Sequence, residues 1–187
     1  MRGNEGKRAL GNESSAPIIS QMLTTRFAKV AVTAALALFA ALVSFNNLTD
    51  YGSNFAFVRH VLAMDTIFAG SRARWRAIDT PALWHAAYAL IIAVEALTAA
   101  LLAWGAIAMW RARRASAQAF ARARQWAMAG ALTGFLLWFA GFTVVGGEWF
   151  LMWQSREWNG QTAAFRLHIT LLVLMVFLNQ PDAELPD

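Results

Sequence analysis

The chain is predicted to be all-α, an integral membrane four-helix bundle with an interfacial amphipathic helix in its first outer loop. Three observations predict it. Of the 187 residues, 58% are hydrophobic and only 14% charged, whereas a soluble domain carries about a quarter charged residues. The apolar residues fall in blocks long enough to cross a bilayer. Nine tryptophans and thirteen phenylalanines in so short a chain point the same way, the tryptophans because their amphipathic rings favour the membrane–water interface.

The elements follow in order. Residues 1–25 are polar, rich in Gly and Ser, and read as a flexible cytoplasmic tail. The transmembrane domain occupies 26–180 and the acidic C-terminal tail 181–187. The first span covers about 27–45, an Ala/Leu/Val run with Lys29 at its start. It reads as a retained span, since no small-x-small cleavage site follows it. The interfacial helix covers about 55–69, with Phe57, Val58, Val61, Met64 and Phe68 on one face and Arg59, Ala63 and Thr66 opposite. The second span, about 81–110, opens on Pro81, where a missing N–H costs little. The third, about 126–147, is free of charge up to its end. The fourth, about 162–178, is long enough only if Arg166 lies within it and snorkels outward.

Orientation comes from counting basic residues. With both termini cytoplasmic, the inner side holds Arg2, Lys7, Arg8, Arg26, Lys29, Arg111, Arg113, Arg114, Arg122 and Arg124. The outer side holds Arg59, Arg72, Arg74, Arg76 and Arg156. That excess favours both termini inside, in a bacterial inner (plasma) membrane. The contrary feature is RARWR at 72–76, an unusual basic cluster for an outer loop. The net charge of +5 is absorbed by this rule, and no basic stripe calls for nucleic acid. Trp75, Trp84, Trp149, Trp153 and Trp158 fall at the outer boundary as interface anchors.

Polar residues inside or against the spans are the candidate functional residues. Glu95 lies in the middle of the second span, an acid that costs roughly 2.5–3.5 kcal/mol to insert and so should face protein or water. Tyr88 and Thr98 share its face, which makes that stripe the bundle-facing one. Glu95 is expected to be a protonated carboxyl bonded to a neighbouring helix; a proton, ion or quinone step is the functional alternative. Glu148 ends the third span and Arg166 begins the fourth, so the two can meet at similar depth, with Asp65 joining from the apolar side of the interfacial helix. That cluster is expected to act as a latch.

The histidines raise a cofactor question. His85 and His168 lie on two spans descending from the same side, as two axial ligands would. Their depths match only if the fourth helix shifts outward. No cofactor is therefore expected, with haem b or a quinone as the alternatives. No metal site is expected either, since the histidines, His60 included, lack helical pair spacing. The absence of cysteine removes disulfides, thiolate metal sites and cysteine nucleophiles. No P-loop, G-x-S-x-G or H-E-x-x-H occurs.

Four separated stretches, NNLTDYGSNFAFVRHVLAMDTIF, WRAI (75–78), YALIIAVEALTAALLAWGA and GGEWFLMWQSREWNGQTAAFR, resemble the bacterial predicted small integral membrane protein family. The resemblance covers about 27–178 and implies a four-span inner-membrane protein. The family's function is unassigned, so no functional residue is carried over. The expected function is non-catalytic: an accessory or scaffold subunit of a larger inner-membrane complex such as a respiratory or dehydrogenase assembly, in contact with the lipid bilayer and with other membrane-protein subunits. The alternative is a haem-, quinone- or proton-handling protein using His85, His168 and Glu95.

Overall fold

The computed structural model describes the backbone of residues 5–184 and the side chains of residues 21–184. Helix α1 runs Glu5–Thr49, α2 Tyr51–Ala63, α3 Pro81–Ala112, α4 Ala117–Ala123, α5 Gln125–Leu136 and α6 Gln161–Asn179. A π-wound segment, Leu137–Trp149, continues α5. Four stretches are long and apolar enough to cross a membrane: Gln21–Thr49, Pro81–Ala112, Ala117–Trp149 and Gln161–Asn179. No strand occurs among the described residues. The fold is an all-α bundle.

Three boundaries differ from the expectation. Helix α1 begins at Glu5, so 5–25 is helical rather than an unstructured tail; extending an already nucleated span adds backbone hydrogen bonds without a new nucleation cost. Residues 1–4 lie outside the described residues. The interfacial helix starts at Tyr51 and stops at Ala63, because Met64 adopts the left-handed conformation at φ 49° and reverses the chain. Asp65, Thr66 and Phe68 therefore lie beyond the helix, and Ala63 is buried instead of facing away. The third span reaches back to Ala117, where the Ser116 hydroxyl caps α4 by accepting from the Ala119 N–H at 3.2 Å.

Helix α3 is central, packed on one side by α1 and on the other by α5, and α6 closes against α5 and the π-wound segment. Glycine permits these approaches. A Cβ on Gly105 would collide with the Ala127 backbone, and one on Gly130 would lie 2.8 Å from the Leu102 nitrogen. In lipid, such small-residue contacts give the close backbone packing that the hydrophobic effect cannot drive. Gly141 differs, since its Cβ would meet only the Leu137 Cδ1 at 3.7 Å.

The start of the first span, the 113–116 turn and the segment after α6 meet at one end of the bundle, the tail end, where Arg26 of α1 bonds the carbonyls of Ala115 and Ala183. The other end is a cap made of α2, the 64–80 loop and the 150–160 loop. Leu62 and Ile78 close the cap by a 2.8 Å backbone bond, and Thr66 and Ser155 join its two loops through hydroxyls 2.9 Å apart.

Candidate functional site

The α3 face through Tyr88, Glu95, Thr98 and Leu102 is buried. Helical spacing sets this face, and α1 covers it with Ser44 and Asn47. Asn47 Nδ2 donates to Glu95 Oε2 at 2.7 Å. Asn54, one turn into α2, donates to Asn47 Oδ1 at 2.6 Å, and the Tyr88 hydroxyl donates to the Asn47 carbonyl at 3.3 Å. Toward the cap, Tyr51 and His85 share a 2.8 Å bond, and the imidazole stacks on Phe55 with centroids 4.2 Å apart. A ladder of neutral polar groups thus leads from the buried Glu95 through Asn47 to Asn54 at the edge of the cap. Chemically it can hold a proton on Glu95 or satisfy its carboxyl. Glu95 takes part in none of the three ion pairs among the described residues.

The expected Asp65–Glu148–Arg166 cluster does not form. Glu148 and Arg166 are both exposed and enter no ion pair among the described residues. Arg166 lies about 160° around α6 from the buried Ala164 and His168, at ~100° per residue, so it points away from the bundle. Gly146 and Gly147 take the inward positions of the π-wound segment, leaving Glu148 outside. Asp65 instead meets His60, whose Nδ1 lies 2.8 Å from Oδ2, and the His60 ring stacks on Trp158 with centroids 4.5 Å apart. The end of α2 at Ala63 makes that pairing: Asp65 folds back toward His60 rather than lying under the helix.

His85 and His168 are not brought together. His85 rests against Tyr51 and Phe55, whereas His168 is buried among Phe135, Phe139 and Phe165, with its Nδ1 unpartnered. The two rings share no aromatic neighbour. Among the described residues no group of three or more His, Cys, Asp or Glu could hold a metal ion. Of the anchor tryptophans, Trp75, Trp149 and Trp153 are exposed, while Trp84 and Trp158 are half-buried. Trp84 Nε1 donates to the Ile78 carbonyl at 2.6 Å. Arg76 sits over the rings of Trp75 and Trp149 and donates to the Trp149 carbonyl at 3.2 Å.

A second polar centre, which sequence reasoning missed, lies at the tail end. Lys29 is fully buried and donates to Asp182 Oδ1 at 2.9 Å and to the Gln180 carbonyl at 2.7 Å. Arg124 reaches the other oxygen of Asp182 at 2.8 Å. Arg26, also buried, donates to the carbonyls of Arg113, Ala115 and Ala183 and lies 5.0 Å over the Phe120 ring. The acidic tail is thereby fastened to the first and third spans. The available signal was Asp182 directly after the helix-ending Pro181, with unpaired cations at the same depth.

The family comparison decides what kind of protein this is. Residues 25–181 match the family described as Predicted small integral membrane protein (DUF2165). The chain belongs to that family. No curated protein and no solved structure matches it. As a predicted small integral membrane protein it is multi-pass and in contact with lipid, in agreement with its four apolar helices. The family match takes in Glu95, Asn47, Arg26 and Lys29 and ends one residue before Asp182.

Proposed function

We propose that this small integral membrane protein is a non-catalytic accessory or scaffold subunit of a larger complex in a bacterial inner membrane, with both termini cytoplasmic. One observation carries the reading. Between α1 and α3 a groove of about 430 Å³ opens on the membrane face, lined by Ala34, Ala37, Ala41, Ala99, Ala100, Ala103 and Ala106 with Leu38 and Ile107 at its sides. Small side chains in lipid let a further helix approach closely. Several polar residues, by contrast, are engaged with one another: Glu95 with Asn47, Lys29 and Arg124 with Asp182, His60 with Asp65. The excess of Lys and Arg at the tail end supports the orientation. Because the chain has no cysteine, Ala41→Cys and Ala103→Cys give clean cross-linking sites. Cross-links from both positions to another polypeptide support the reading; lipid-only adducts at both contradict it.

A second reading, a proton-handling membrane protein, is favoured by Glu95 itself, a buried acid within a span that takes part in no ion pair among the described residues. Loss of activity in a folded Glu95→Gln variant would move the assignment to it.

A further inference from the structure

Beneath the cap, between α2, α3 and α5 with its π-wound continuation, lies a cavity of about 470 Å³. Its size is that of a small-molecule site, but its lining lacks the few polar groups such sites use for orientation. The one polar side chain in it, Thr133, already bonds the Ala129 carbonyl of its own helix at 2.9 Å. Water has nothing to bond there. The rim residues Leu90, Leu136 and Val145 are 65%, 51% and 47% exposed on the flank of the bundle, so the opening faces bilayer hydrocarbon. Along α3 the cavity runs from Ala87 to Val94, a depth of ~10 Å at ~1.5 Å per residue.

Among its cap-side lining residues is Phe150, the residue after Trp149. There the chemistry changes sign. The Arg76 guanidinium lies 4.8 Å from the Trp149 ring centroid, and its buried Nε–H has no partner. Arg72 and Arg74, exposed on the same turn, form no ion pair among the described residues, and neither does the neighbouring Glu148. An apolar slot entered sideways from the membrane, with a guanidinium that keeps one unpartnered N–H beside Trp149, next to the lining residue Phe150, matches a molecule with a hydrocarbon tail and an anionic head. We propose that the cavity holds one acyl tail of an anionic bilayer phospholipid, whose phosphate meets Arg76. The RARWR cluster, out of place by the orientation rule, is on this reading the headgroup contact.

Native mass spectrometry of the full chain in detergent tests this with added phosphatidylglycerol, phosphatidylcholine or inorganic phosphate. The wild type should retain phosphatidylglycerol in preference to phosphatidylcholine, and inorganic phosphate should not displace it. Gly141→Phe fills the slot from a position with room for a Cβ and should lower retention of both lipids about tenfold. Val94→Phe should do the same from the opposite wall. Arg76→Gln should keep the tail contact while erasing the preference for phosphatidylglycerol, about tenfold for one lost charge-assisted bond. Unchanged lipid retention in whichever filled variant keeps wild-type helicity overturns the proposal. Displacement by inorganic phosphate, or a preference that survives in Arg76→Gln, overturns it as well.

Discussion

Asn47 on α1 donates a 2.7 Å hydrogen bond to Glu95 on α3, and both side chains are buried. The bond ties two spans together at the one acid within the apolar part of the bundle. Gln at position 95 keeps an oxygen for the Asn47 amide, so Glu95→Gln should fold and accumulate normally. Glu95→Leu strands that amide and should cost about 1–3 kcal/mol. Thermal unfolding in detergent measures both. Equal losses in the two variants would show that the bond is not what Glu95 contributes.

At the opposite end, Asp182 pairs with both Lys29 and Arg124 in a site where the Lys29 and Asp182 side chains are 0% and 2% exposed. Removing one partner of a buried pair typically costs ~3–5 kcal/mol because the other charge is orphaned. Asp182→Leu should show a loss of that order, and Lys29→Met combined with it should recover part of the loss. Added salt should have little effect, since buried charges are poorly screened.

The separation of Glu148 from Arg166 is tested the same way. Glu148→Ala and Arg166→Ala should each change stability by no more than about 0.5 kcal/mol, as exposed residues do, and the two effects should add. Recovery in the double variant would mean that the two side chains pair in the membrane.

These cases show what was legible in the sequence. The spans were, because twenty-odd apolar residues have few other solutions, and so was the inward face of Tyr88, Glu95 and Thr98, which follows from helical spacing alone. The end of α2 was not: Met64 and Leu151 adopt positive φ, at 49° and 54°, without the glycine that normally signals it. The π winding after Leu136 was equally hidden, and with it the direction of Glu148. Lys29 and Arg26 were read as orientation charges, although their burial under the C-terminal tail depends on contacts more than 80 residues away in sequence.

Topology has its own test. Gln118→Cys and Asn12→Cys should resist an impermeant thiol reagent in intact cells, while Ser53→Cys and Asn159→Cys should label. The reverse pattern would place the cap in the cytoplasm.

The accessory-subunit reading is tested most directly by affinity purification in mild detergent, comparing the wild type with Ala103→Leu, which narrows the α1–α3 groove. The wild type should bring down a stoichiometric membrane partner, and Ala103→Leu should lose it while keeping its own abundance. A wild type that purifies without any partner, or a groove variant that retains its partner undiminished, would contradict the account.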